Sequence, residues 1–201
     1  GNSSYGTAVV GTVSGTAISF GSPVVFKTAT VDTVSATFDS TANKVIISYR
    51  DGGNSYYGTS IVGTVSGTSI SFGTGVVFES ASASTISSVY DSTNNKIVLA
   101  YGDGGNSTYG TSIVGTVSGT SISFGTAALF RSATAYEISA TYDSTNNKIV
   151  IAYAGGSNYG TAIVGTVSGT SISFGAEVVF EAAGSGNIAT TFDSTNSKVI
   201  I

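Results

Sequence analysis

Four aspartates recur at one place in an internal repeat, where each opens the sequence Asp-Ser-Thr: Asp39, Asp91, Asp143 and Asp193. Calcium loops supply several oxygen ligands at alternating positions. Each turn here instead carries one carboxylate, and a lysine follows five residues later. We therefore expect an Asx-type turn, in which the carboxylate accepts hydrogen bonds from backbone N–H groups, and no metal site.

Glycine-rich segments with scattered charges form a second group of candidates, at 50–56, 102–108 and 154–158. Neither a helix nor a Lys-Ser pair follows them, so the pattern does not support a phosphate-binding loop. Arg50, Asp51 and Asp103 could instead contact a polar ligand. The simpler alternative is that these segments are flexible turns.

Four further segments differ most between the repeats, although the hairpins beside them are nearly identical: 27–33, 79–85, 131–137 and 181–187. We expect these segments to be loops. Variable loops on a rigid scaffold commonly serve recognition. Asp32, Tyr136 and Glu137 are therefore candidate ligand contacts, and drift in exposed loops explains the same variation equally well.

The composition excludes most catalytic chemistry. The chain has no histidine, cysteine or tryptophan, which removes Ser-His-Asp triads, cysteine nucleophiles and ordinary zinc sites. Paired carboxylates would be the remaining route to hydrolysis. However, the 11 acidic residues mostly recur once per turn at the same strand end. We expect a non-enzymatic protein with no cofactor and no metal.

The candidates must be positioned by a repeat of about fifty residues, since Tyr5, Tyr57, Tyr109 and Tyr159 recur at nearly constant spacing. Alternating apolar and polar residues predict four strands in each unit. In the third unit these are strand a at 86–90, strand b at 97–101, strand c at 109–118 and strand d at 120–130, with an irregularity near Gly125. The connections from d to a and from b to c should emerge on one rim.

This pattern predicts an all-β fold, a β-propeller of four-stranded antiparallel blades, with a β-solenoid as the alternative. Residues 1–201 form one repeat domain. Its units are roughly 1–33, 34–85, 86–137, 138–187 and 188–201, and the partial first and last units jointly complete one blade. The recurring aromatic residues, such as Tyr57 and Phe72, are expected to pack between blades, the alternative being sugar-stacking platforms.

The charge balance bears on partners and location. Charged residues make up 9% of the chain and the net charge is −4. Seven scattered lysines and arginines cannot form a nucleic-acid footprint. No apolar run reaches the roughly 20 residues that span a membrane, so membrane insertion is not expected. A surface rich in hydroxyl groups and poor in charge is typical of extracellular or virion proteins.

The units also carry a resemblance. VGTVSGTSISFG (62–73) and DSTNNKIVIAY (143–153) resemble the β-propeller-type repeats of large, poorly characterised phage tail-fibre-like and bacterial surface proteins. The resemblance covers the whole chain. It implies an extracellular or virion location and binding to a host surface or glycan, and it transfers no functional residue.

The sequence therefore predicts a recognition or adhesion module that binds a surface glycan or receptor through variable loops on one rim. The alternative is a purely structural repeat, a segment of a fibre or of a self-assembling scaffold. In that case its partners would be further copies of itself or flanking repeats.

Overall fold

The computed structural model describes residues 4–201, which form an all-β protein, as predicted. Among these residues the only helical element is a 3₁₀ turn at Gly104–Asn106. The strands are β1 Tyr5–Ala8, β2 Gly11–Ser14, β3 Ala17–Phe20, β4 Val24–Asp39, β5 Lys44–Asp51, β6 Tyr57–Ser66, β7 Ser69–Phe72, β8 Val76–Asp91, β9 Lys96–Asp103, β10 Tyr109–Ser118, β11 Ser121–Phe124, β12 Ala128–Thr134, β13 Tyr136–Asp143, β14 Lys148–Ala154, β15 Tyr159–Ser168, β16 Ser171–Phe174, β17 Val178–Gly184, β18 Thr191–Asp193 and β19 Lys198–Ile200.

Each complete unit is an antiparallel meander of four strands. In the unit 34–85, the second half of β4 pairs with β5, and β5 pairs with β6. The outer strand is divided, because β7 and the first half of β8 pair with different parts of β6. The predicted strand c coincides with β10, and the irregularity expected near Gly125 is the break between β11 and β12.

Three of the four segments between d and a are not loops, which corrects the sequence-based prediction for them, whereas residues 185–187 of the fourth segment follow β17 and lie in no strand. Residues 27–33 and 79–85 lie inside the continuous strands β4 and β8, and only Ala135 separates β12 from β13. Each strand bends at a register shift where Thr33 or Thr85 adopts a positive φ. A bulge of this kind redirects a strand without ending it. Each long strand therefore closes one unit and opens the next.

The Asp-Ser-Thr turns are confirmed as Asx turns. The Asp39 carboxylate accepts hydrogen bonds from the backbone N–H groups of Thr41 at 3.0 Å and Ala42 at 2.8 Å. Asp91 makes the same contacts with Thr93 and Asn94. These carboxylates therefore serve to hold the turns through hydrogen bonds.

The units pack face to face. We call the side of a unit that contacts the preceding unit its leading face, and the opposite side its trailing face. The leading face of 86–137 carries Leu99, Tyr101 and Ile122, which pack against Val62 and Phe78 on the trailing face of 34–85. All five side chains are at most 8% exposed. The core therefore lies mainly between units, as expected for sheets that cannot cover both of their own apolar faces.

Phenylalanines mark each of these interfaces. Phe26, Phe78 and Phe130 lie on successive trailing faces, and each packs against a phenylalanine of the next leading face. The ring centroids are 5.5 Å apart for Phe26 and Phe72, 5.8 Å for Phe78 and Phe124, and 6.0 Å for Phe130 and Phe174. The prediction that the repeated phenylalanines pack between units is confirmed, whereas Tyr5 and Tyr159 are 40% and 41% exposed.

The a strands of successive units lie side by side. The hydroxyls of Ser35 and Ser88 are 2.8 Å apart, and the Ala140 N–H donates to the Ser87 hydroxyl at 3.0 Å. Such contacts join residues about one repeat apart. The a strands of successive units are therefore next to one another.

The two ends are not joined by strand pairing within the described chain. Among residues 4–201, β18 and β19 pair only with each other. β2 pairs only with β3, and β1 pairs only with β4. A joint blade made of the first and last units is therefore not formed in this way by a single chain.

Candidate functional site

The connections from b to c and the bends between d and a meet on one edge of the molecule, which we call the rim. In the unit 34–85 the Gly52 N–H donates to the Thr30 carbonyl at 2.9 Å. The Ala83 N–H donates to the Tyr56 carbonyl at 3.3 Å. The loop between b and c is thus fastened to the bend before it and to the bend after it, so the expected flexible turn is a braced one.

We call each place where a loop between b and c meets a bend a rim position, and we number these positions in chain order. The first contains a pocket of about 450 Å³. Lys27, Tyr49, Asp51, Thr59 and Gly75 help to line it. The Lys27 ammonium lies 2.6 Å from the Asp51 carboxylate, whose side chain is 4% exposed. A buried carboxylate requires such a partner, because an unpaired buried charge is costly. Burial, together with the nearby Asp51 charge, raises the pKa of Tyr49 to about 12, so its hydroxyl stays protonated.

The third rim position uses the same places in a later unit but different residues. Its pocket of about 220 Å³ is lined by Arg131, Gly155, Thr161 and Glu177, among others. The Arg131 guanidinium donates to the Glu177 carboxylate at 3.0 Å and lies over the Tyr153 ring, 5.6 Å from its centroid. Burial raises the pKa of Tyr153 well above its ordinary value. The tyrosine is thus retained while the charged groups around it change.

The second rim position is acidic. Glu79 replaces the cation, and the Tyr101 hydroxyl donates to its carboxylate at 3.2 Å. The Asp103 carboxylate accepts from the Gly105 N–H at 2.8 Å. Burial and the nearby Asp103 charge raise the pKa of Glu79 above its ordinary value of 4.5. The three positions therefore share a tyrosine and differ in charge.

We expect Glu79→Gln to raise the free energy of unfolding at neutral pH. Because the folded pKa is raised, the protonated carboxyl favours the folded chain below its ordinary pKa, and this contribution is lost as the pH rises through the folded pKa. The difference between variant and parent should therefore shrink as the pH falls to about 4, near the ordinary pKa of glutamate. Urea unfolding between neutral pH and about pH 4 measures this difference in the free energy of unfolding. Glu181→Gln, at an exposed position, is the control. A variant less stable than the parent at neutral pH would contradict the conclusion that the pKa of Glu79 is raised in the folded chain.

Asp32 and Arg50 are brought together by the register of β4 and β5. The Arg50 guanidinium makes a bidentate pair with the Asp32 carboxylate at 2.5 and 2.9 Å, and it lies over the Tyr56 ring at 5.1 Å. The hydrogen bond from Arg50 holds the pKa of Asp32 below its ordinary value. The pair is specific to this unit, because the equivalent residues are Ser84 and Gly102 in the next.

Tyr136 and Glu137 lie at the bend between β12 and β13. The Tyr136 side chain is 48% exposed. Glu137 is also exposed, and its carboxylate accepts from the Asn187 N–H of the following unit at 3.3 Å. These two residues are the most accessible of the predicted contacts, whereas Asp51 is 3% exposed and Asp103 braces its own turn.

Sequence reasoning missed the variable charges and the constant tyrosines of the rim positions: Lys27, Glu79, Arg131, Glu177, Tyr49, Tyr101 and Tyr153. A signal was present in the sequence, because one place in the repeat reads Lys27, Glu79, Arg131 and Glu181 between nearly identical hairpins. A change of charge sign at a fixed place in a repeat indicates a position that the fold itself does not specify.

No family model matches this chain. A search of curated proteins also finds no match. Within residues 4–201, no three acidic side chains come together in a way that could hold a metal ion, and no helix is long and apolar enough to cross a membrane.

Proposed function

We propose that this chain is a non-enzymatic recognition or adhesion module that binds a surface glycan or a receptor through its rim. The observation that supports this proposal is the repeated rim position. A buried tyrosine and a braced loop form the same frame each time, while the surrounding charges are Lys27 with Asp51, Glu79 with Asp103, and Arg131 with Glu177. A constant frame with different charges suits a surface whose rim positions contact different polar groups of one ligand.

The chemistry of the rim suits a hydroxyl-rich ligand. Carboxylates accept hydrogen bonds from sugar hydroxyls, and lysine, arginine and tyrosine donate to them. The first pocket, at about 450 Å³, lies in the size range of small-ligand sites. The exposed ring of Tyr136 adds an apolar surface at the third bend.

We also propose that the units are arranged as propeller blades. Every strand pair between residues 4 and 201 is antiparallel. Coils of a parallel solenoid would pair in parallel, whereas propeller blades are antiparallel meanders that pack face to face. The contacts between a strands of successive units and the interfaces between leading and trailing faces support this arrangement. An extracellular or virion-surface location fits the low charge of the chain.

The test begins with a glycan array probed with the full chain. For a glycan that binds, the combined variant Lys27→Gln with Asp51→Asn removes both charges of the first rim position and keeps the side-chain sizes similar. We expect the affinity to fall at least about tenfold, since loss of charged hydrogen bonds costs about 1.5–3 kcal/mol. Titration calorimetry with that glycan measures the change.

Lys148→Gln is the matched control, because Lys148 follows an Asp-Ser-Thr turn away from the rim and donates to Thr166 within its own sheet. Unchanged glycan affinity in the rim variant would contradict rim binding. Absence of binding on the array, together with cell attachment that survives enzymatic removal of surface glycans, would assign the ligand to a protein receptor.

A second candidate function is a structural segment that assembles through its ends. One observation favours it. The first and last faces of the repeat expose apolar residues such as Phe20 at 63% and Val178 at 63%. Exposed apolar faces of this kind mark interaction surfaces.

A further inference from the structure

The leading face of the first unit is bare. Its Ile18 and Phe20 are 55% and 63% exposed. The equivalent Ile70 and Ile122, on leading faces inside the repeat, are 8% and 3% exposed. The same side chains are thus buried wherever a preceding unit is present.

The trailing face of the unit 138–187 is bare in the complementary way. Val164 and Phe180 are 45% and 44% exposed, whereas the equivalent Val114 and Phe130 are 0% and 4% exposed. The two bare faces are therefore the two halves of an interface that the chain builds three times internally.

The backbone edges at the two ends are complementary as well. In complete units strand c is continuous, as in β15, where Val164 pairs with Val150 of strand b. In the first unit this strand is interrupted at Val9 and Val10, where no strand b pairs with it among the described residues. At the other end, β19 is a strand b that pairs with β18 and with no strand c among the described residues. Unpaired strand edges are templates for pairing with another chain.

We infer that a second copy of this chain docks head to tail, with its leading face on the trailing face of the first. The internal interfaces identify the occupant, because their residues recur at both ends at the repeat spacing. The repeat also sets the register. Val199, Ile200 and Ile201 of one copy pair with Gly11, Val10 and Val9 of the next, as residues 149–151 pair with 163–165.

The side-chain contacts follow from the same spacing. Phe180 of one copy packs against Phe20 of the next, continuing the three internal phenylalanine pairs. Gly175 takes the place of Gly73 and Gly125, which abut the turns at Thr120 and Thr170 of the following units. In the docked pair, Gly175 therefore meets Thr16 of the second copy.

Such a contact joins two different surfaces, so it is heterologous. Copies joined in this way form a ring if the rotation closes and a fibre if it does not. The contact does not involve the first three rim positions, so it does not depend on ligand binding there. The a and b strands of one copy and the c and d strands of the next complete a four-stranded unit.

Disulfide trapping tests the register. The chain contains no cysteine, so Val10→Cys and Ile200→Cys can be made as separate variants and mixed under mild oxidation. Opposed residues of antiparallel strands lie at Cα distances that a disulfide spans. We expect a cross-linked pair on a non-reducing gel, at twice the chain mass of 20.0 kDa.

The control mixture pairs Ile200→Cys with Asn54→Cys, whose position is exposed on the rim. Cross-linking no greater than in this control would overturn the proposal. A double variant carrying both cysteines should link between copies. A link formed within one copy would overturn the proposal in favour of self-closure.

Sedimentation velocity tests the faces with the intact chain. We expect multiples of 20.0 kDa that grow with concentration. Phe20→Ser and Gly175→Ala should each raise the concentration needed for association at least about tenfold, as loss of one buried contact would. Leu129→Ser, which alters a 43% exposed apolar residue inside the repeat, should not. A chain that stays monomeric at all concentrations, or loses association equally in all three variants, would overturn the proposal.

Discussion

Gly73→Ala is expected to destabilise the chain by about 3 kcal/mol, since overpacking a close contact costs about 1–3 kcal/mol and occasionally more. A Cβ on Gly73 would overlap the backbone carbonyl oxygen of Thr120 in the next unit. A backbone carbonyl cannot turn aside as the end of a flexible side chain can. The two units would therefore have to separate locally, which exposes the apolar faces between them.

The repeat supplies a matched control at Gly175. The atom nearest to a Cβ there is the Val164 carbonyl oxygen at 3.8 Å, which is an ordinary contact. In the monomer, Gly175→Ala should therefore change the free energy of unfolding by less than about 1 kcal/mol, the usual scale of glycine-to-alanine effects at a compatible backbone. Urea unfolding followed by circular dichroism compares the two variants. Equal losses at both glycines would show that contact between units is not the cause.

Phe78→Ala should destabilise the chain by about 3–5 kcal/mol, the range for truncation of a buried phenylalanine. Phe78 is 8% exposed, and its ring lies 5.1 Å from the Tyr101 ring and 5.8 Å from the Phe124 ring. Alanine would leave a cavity between two units. We expect the midpoint of urea unfolding to fall, measured by the circular dichroism of the strands.

Phe180→Ala is the control for this substitution, because Phe180 occupies the same place and is 44% exposed. Its loss should be about 1 kcal/mol or less in the monomer, since little buried area is removed. A Phe180 variant as damaged as the Phe78 variant would mean that the phenylalanine acts within its own unit and not across the interface.

Local patterning predicted the hairpins well. Strand c was predicted at 109–118 and is found there. The glycine that follows Ser118 has a positive φ of 60° and forms the turn. The Asx turns were likewise evident from their sequence. These features depend on neighbours in the chain, so a single sequence carries the necessary information.

The bends between d and a could not be predicted in the same way. Segments rich in serine, threonine and alanine, such as 79–85, read as loops because they lack a strong apolar alternation. The structure keeps them in strands since they pair with neighbours on both sides of a bulge. Pairing with residues distant in sequence outweighs local propensity there.

The candidate site was partly predicted for a related reason. Asp32 was predicted because it lies in a segment that varies between repeats, and Arg50 because it lies in a glycine-rich connection; the register of β4 and β5 joins them. Lys27 was missed because its partner Asp51 lies 24 residues away, at the end of strand b in the next unit. Only the three-dimensional arrangement shows that a charge on strand d and a charge at the end of strand b line one pocket.

Hydrogen exchange of the monomer tests most directly whether units are held together by their leading and trailing faces. At a concentration below that of association, we expect slow amide exchange in β6, β9 and β14, which lie between packed faces. Amides of β2 and β3 should exchange much faster, because no unit covers their leading face. If the amides of β2 and β3 were as protected in the monomer as those of β6, packing between leading and trailing faces would not be what holds the units together.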